Sequence, residues 1–195
     1  NGMLAYAVTR RDGNVGQLIT DKISGIKNIP PLNTVPFKGH SVIQVSGEVV
    51  VSKDVENPRN YVSGALNLKS LDEFLARDEV LEFYAYGVQP SLSYNYWDDM
   101  YALENLHGFK SVLTVDESKF KLDGYVLRVD DNKYFHSLGA TSHHPRGAIA
   151  IKTRKSGVWT TLRDVVWQVG RSGRVTPVAI LEPVVIDDAT VSKAT

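Results

Sequence analysis

Apolar and polar positions alternate with a period of two over much of this chain. The run Val42-Ile43-Gln44-Val45-Ser46-Gly47-Glu48-Val49-Val50-Val51 is the longest example. Its β-branched content predicts a strand, and Gly47 inside it predicts a bulge or a close backbone approach. The same pattern predicts strands at Leu4–Thr9, Glu82–Val88, Ser111–Val115, Gly124–Asp130, Gly147–Arg154, Val165–Val169 and Val175–Glu182. Helical spacing is rarer. Ser70-Leu71-Asp72-Glu73 is a capping box that opens a helix running through Arg77. Trp97, Met100, Tyr101 and Leu103 predict a second helix over Asn95–His107, with Gly108 as its C-terminal cap. A short helix is expected at Ile19–Ile26. Many strands and few helices predict an α+β fold built on antiparallel sheet.

The chain has 195 residues, enough to remove about 70% of its unfolded surface from water. A boundary is expected near Lys155-Ser156-Gly157, dividing 1–155 from 156–195. Beyond it the pattern is strand, turn, strand, and Thr195 comes too early to complete a small barrel. The opening on Asn1 fits a fragment, a processed product or part of a longer polypeptide. Twenty-two basic residues balance 22 acidic ones, which argues against holding nucleic acid by bulk charge but leaves room for one basic face. There is no cysteine, so thiolate metal sites and disulfides are excluded within these residues. No run approaches the ~18 apolar residues of a membrane helix, and no secretory signal is visible.

Four islands carry candidate chemistry. Thr9-Arg10-Arg11-Asp12-Gly13 is a turn with Arg10 at its lip. Glu48 lies in an otherwise aliphatic strand, on the face of Gln44, Ser46 and Val50. There a carboxylate can accept from a sugar hydroxyl or help to hold a cation. In Asp123-Gly124-Tyr125-Val126-Leu127-Arg128-Val129, Val126 and Arg128 share one face. In Gly147-Ala148-Ile149-Ala150-Ile151-Lys152, Ile149 and Ile151 are expected to face the core. Ala148, Ala150 and Lys152 line the other side, where small residues let a lysine reach a phosphate as a point charge.

Taken singly, each island also reads as an ordinary turn or exposed strand. Their order resembles the covalent nucleotidyltransferases. Flanking segments narrow the resemblance to the NAD-dependent DNA ligases: Asn57-Pro58-Arg59-Asn60 and Ser63-Gly64-Ala65-Leu66, which resemble the family's loop after the Glu motif, and Leu138-Gly139-Ala140-Thr141-Ser142 with Pro145-Arg146. The segment from Gln168 to Val184, followed by Val191-Ser192-Lys193-Ala194-Thr195, is similar to the opening of that family's OB domain. The resemblance implies a nucleotidyltransferase (ATP-grasp-like ligase) fold followed by the start of an OB-fold. The implied activity is sealing of nicks in duplex DNA during replication and repair, in the cytoplasm of a bacterium or of a virally infected host. A lysine attacks the α-phosphate of NAD+, AMP passes to the 5′-phosphate of a nick, and the 3′-hydroxyl displaces it. The implied cofactors are NAD+ and Mg2+.

By the same resemblance, Arg10 and Glu48 contact the AMP ribose, and Arg59 contacts the AMP or nick phosphate. Arg128 stands where the family has a lysine that approaches adenine or phosphate. Lys152 matches the last motif lysine. Arg171 and Arg174, at an OB-domain turn, are candidate DNA-backbone contacts. The nucleophilic Lys-x-Asp-Gly motif is expected upstream of Asn1 or on a partner polypeptide. Lys121-Leu122-Asp123-Gly124 spells the same letters but follows Glu48 and leads into the Arg128 motif, so it is set aside.

Departures are specific: Arg128 in place of lysine, Asn67 in place of an arginine, no arginine near Val115, and a short segment between Glu48 and Asn57. They support an alternative, a non-catalytic DNA-binding module with a degenerate ligase fold. An RNA ligase or ATP-dependent enzyme conflicts with the Val169–Val184 segment. His143-His144 reads as a loop without metal, and Trp97, Trp159 and Trp167 read as core or interdomain packing.

Overall fold

A computed structural model describes residues 4–10, 15–30, 39–142, 144–152, 157–186 and 189–195. The chain forms two compact units, Asn1–Lys152 and Thr153–Thr195.

In the first unit β1 (Ile26–Lys27) runs parallel to β3 (Leu81–Gln89), and β2 (Gln44–Val50) runs antiparallel on its other side. The pairing slips between Ser46 and Gly47. A Cβ on Gly47 would overlap the Phe83 ring and the Tyr84 carbonyl, so the glycine serves both of its expected roles. Four helices pack around this sheet or beyond it: α1 (Pro58–Asn67), α2 (Leu71–Leu75), α3 (Tyr96–Asn105) and α4 (Asn132–Ser137).

The segment resembling the family's loop after Glu48 is helix α1. Pro58 sits in its first turn, where its missing N–H costs nothing. Val62, Ala65 and Leu66 give it a buried stripe. In α2 the Ser70 hydroxyl accepts from the Glu73 N–H at 3.3 Å. That helix ends at Leu75 and not at Arg77. The Arg77 Nε donates back to the Phe74 carbonyl, and its guanidinium lies 3.8 Å over the Phe74 ring. In α3 the Asn95 side chain caps the Asp98 N–H, and Gly108 follows with φ of 75°. Of the four periodic residues in α3, Met100 and Leu103 are buried, whereas Trp97 and Tyr101 face solvent. The expected short helix near Ile19 is a 3-10 turn over Thr20–Gly25.

Two buried clusters sit along β3. Ile19, Ile26, Val51, Val62, Ala65, Leu66, Phe74 and Leu81 form one. Ala85, Val88, Met100 and Leu103 form the other. Phe83 packs against both.

Two expected strands are absent among the described residues. Leu4–Thr9 makes a single antiparallel bridge, Val8 to Leu18. Ser111–Val115 bridges only at Ser111 and then turns. The reason is local: the Ser111 N–H is taken by the Glu104 carboxylate and the Leu113 N–H by the Ser111 hydroxyl, so side chains satisfy donors that a ladder would need.

β4 (Tyr125–Arg128) and β5 (Ala148–Ile151) pair antiparallel as a two-stranded ribbon. Ile149 and Ile151, expected in the core, are 65% and 48% exposed. Among the described residues nothing is layered on that face.

The second unit is an antiparallel meander of β6 (Leu162–Val169), β7 (Val175–Ile186) and β8 (Ala189–Ala194). A turn at residues 170–174 joins the first two, with Gly173 at φ of 79°. The β7–β8 register slips around Pro183, which has no N–H to give to a ladder. Val178 is its buried apolar residue, while Trp159 and Trp167 are 97% and 66% exposed. Neither tryptophan packs in a core, and Trp97 does not either.

Candidate functional site

The β2–β3 pairing places Glu48 opposite Tyr84 and Val50 opposite Glu82. Val49, Val51, Leu81 and Phe83 belong to the core side, so Glu48, Glu82 and Tyr84 stand on the other face. Glu48 is exposed. The Tyr84 hydroxyl donates to the Glu82 carboxylate at 3.0 Å, and the Asn28 amide donates to the same oxygen at 2.9 Å. The Tyr84 ring meets Phe120 edge-on, 5.5 Å between centroids. Burial first, and then the hydrogen bond and charge of Glu82, push the Tyr84 phenol up to about 12. An upright aromatic ring braced beside an open carboxylate can receive a sugar hydroxyl next to a flat ring system.

A second group gathers at the α1 N-terminus. Arg59 pairs with Asp123 at 2.9 Å, with both side chains largely exposed. Asp123 precedes Gly124, whose φ is 141°; a Cβ there would lie 3.0 Å from the Lys152 Cα. The Arg59–Asp123 pair thus lies next to the point where the Gly124 and Lys152 backbones meet. Lys152 is exposed and forms no ion pair among the described residues.

Arg128 is placed differently. Its guanidinium lies between the Tyr96 and Phe135 rings, 4.1 and 3.9 Å from their centroids. Nη2 donates to Asn132 Oδ1 at 3.1 Å, and Nε donates to the Val129 carbonyl at 3.2 Å. The Asn132 amide donates in turn to Asp99 at 2.8 Å. The other Asp99 oxygen accepts the N–H groups of Leu92 and Ser93. Burial lowers the Arg128 pKa and raises that of Asp99, the latter against the pull of its hydrogen bonds. Asn67, where an arginine was expected, spends its amide on the Ser63 carbonyl of its own helix.

Arg10 is exposed at the end of the stretch 4–10, and its Asp12-Gly13 turn lies outside the described residues. Arg171 and Arg174 are exposed at the β6–β7 turn of the second unit. His143 is likewise outside the described residues. Among those described, no three His, Asp or Glu side chains converge as a metal cage. Mg2+ held through one or two carboxylates and substrate phosphates needs no such cage.

Sequence reasoning missed Glu82, Tyr84 and Asn28. Glu82 and Tyr84 alternate along a predicted strand, so pairing it with the Glu48 strand would have found them. Asn28 takes a left-handed conformation, φ 66°, that no local pattern announced.

Residues 1–112 match the model of the NAD-dependent DNA ligase adenylation domain. The chain belongs to the NAD-dependent DNA ligase family. Residues 159–195 match that family's OB-fold domain. The chain is similar over its whole length to the DNA ligases of Lawsonia intracellularis (33% identical over 234 residues), Psychrobacter sp. (34% over 232) and Campylobacter lari (35% over 232). It covers 34%, 33% and 35% of them respectively, so it spans about a third of the length of these relatives. Among the described residues no helix is long and apolar enough to cross a membrane.

Proposed function

We propose that this chain supplies the ribose- and phosphate-binding part of an NAD+-dependent DNA ligase that seals nicks in duplex DNA. Glu48, beside Tyr84, accepts hydrogen bonds from the AMP ribose, and Arg10 approaches the same sugar. Arg59 and Lys152 offset charge on the α-phosphate as it passes between acceptors. A lysine Nζ on an upstream segment or a partner polypeptide attacks the α-phosphorus of NAD+, forming a P–N bond as nicotinamide mononucleotide leaves. A 5′-phosphate oxygen of the nick then displaces that lysine. The 3′-hydroxyl, losing its proton, displaces AMP. Arg171 and Arg174 hold the DNA backbone. Mg2+ arrives with the phosphates. The place of action is the cytoplasm.

The observation that carries this reading is the Arg59–Asp123 pair beside Gly124, whose backbone packs against that of Lys152, in a chain of this family. Its test is incubation of the natively purified protein with adenylate-labelled NAD+ and Mg2+, followed by a denaturing gel. Label on a co-purifying polypeptide, or on a longer chain containing this sequence, is the expected result. Label on the 195-residue chain itself makes Lys121 the nucleophile.

A second reading, a DNA-binding module without chemistry, is favoured by Arg128 and Asn67, both engaged within the fold. Absence of label, with folded protein and an active control, selects it.

A further inference from the structure

Helix α3 leaves one face uncovered. Met100 and Leu103 are buried, whereas Trp97 and Tyr101, one turn apart on the other side, are 59% and 62% exposed. Tyr94, just ahead of the helix, is 95% exposed. The start of α4 is tied to the same spot. Asn95 bridges Asp131, the Asn132 N–H donates to the Tyr94 carbonyl at 2.9 Å, and the Trp97 N–H donates to Asp130 at 2.9 Å. A further exposed ring, Tyr134, stands on the first turn of α4. Single exposed apolar side chains are ordinary, but a group of aromatic ones marks an interaction surface.

The charges around these rings select the partner. Helix α3 has no lysine or arginine, and its acids are Asp98, Asp99 and Glu104. Asp99 is spent on Leu92, Ser93 and Asn132, and Glu104 on Ser111 and Thr114. Asp98 is exposed and has no ion pair among the described residues. Asp131, also exposed, gives one oxygen to the Tyr134 N–H and keeps the other open. Lys133 offsets one of these charges. A phosphodiester backbone is repelled here. A second copy meeting this face about a two-fold axis would set the same carboxylates against each other.

We propose that Tyr94, Trp97 and Tyr101, with Asp98 and Asp131 beside them, form a docking surface for a cationic, arginine- or lysine-bearing segment of another polypeptide. A guanidinium or ammonium group is drawn to the face of an indole or phenol ring, and the open carboxylates neutralise it. The surface stands whether or not the chain takes part in ligation.

The purified protein is titrated into labelled hexa-arginine peptide and followed by fluorescence anisotropy, with hexaglutamate and nicked duplex as separate probes. For Trp97→Ala and for Asp98→Asn we expect hexa-arginine affinity to fall about 5-fold each, with duplex affinity and the melting temperature of Trp97→Ala unchanged. Trp97→Tyr keeps most of the affinity, and hexaglutamate does not bind. A loss confined to Asp98→Asn leaves only bulk charge and overturns docking on the rings. Equal affinity in the parent and both variants overturns the surface, as does a parent that does not bind hexa-arginine. Weaker duplex binding by Trp97→Ala assigns the face to nucleic acid, and lost self-association assigns it to a second copy; either result overturns the cationic partner.

Discussion

Glu48 and Tyr84 face each other directly across the β2–β3 pairing, with the Tyr84 hydroxyl turned away onto Glu82. The carboxylate of Glu48 is left open beside the ring. Glu48→Ala therefore removes an acceptor without emptying a core. AMP transfer should fall about 10- to 100-fold, the span of one hydrogen bond to a charged group, with duplex binding and the melting temperature retained. Gel-shift and adenylylation assays on the same preparation check this. Unchanged transfer would remove Glu48 from the site.

The Tyr84 phenol, raised to about 12 from an ordinary 10, holds its proton more tightly in the fold than in the unfolded chain. Its contribution to stability is complete below pH 10 and is lost as pH climbs toward 12. Denaturant midpoints of the parent should drop through that window more steeply than those of Tyr84→Phe. Parallel curves for the two proteins would contradict the raised phenol.

Gly47→Ala places a methyl against the Phe83 ring and the Tyr84 carbonyl. Overpacking of this kind costs about 1–3 kcal/mol, so urea unfolding should shift by that amount. Because the clash sits one residue from Glu48, NAD+ affinity should weaken as well.

Asn132→Ala leaves the Arg128 Nη2 without its acceptor and Asp99 short of one donor. Buried polar groups left unpaired cost about 1–3 kcal/mol, read as a lower melting temperature.

Much of this was readable beforehand, and the exceptions share a cause. β2, α3 and the β6–β7 hairpin show in the sequence because their apolar spacing, their caps and Gly173 act over a few residues. Arg59 and Lys152 could be named singly, but nothing local says that Gly124 brings Lys152 beside Asp123. Arg128 could not be placed, because its partners lie on α3 and α4, up to 32 positions away in sequence for Tyr96. Ile149 and Ile151 follow a buried pattern whose covering layer is missing among the described residues. Ser111–Val115 has strand composition, yet the Glu104 carboxylate outcompeted a neighbouring strand for its first N–H.

Phe83 touches both buried clusters, and β3 runs through each of them. The first unit thus has a shared spine between two hearts. Loosening either cluster frees the same strand, so the two should open together and not in turn. Amide hydrogens along Leu81–Gln89 should exchange among the slowest in the molecule, at a single rate set by unfolding of the whole unit. A cavity cut beneath Met100 should speed that exchange at Leu81 as much as at Val88.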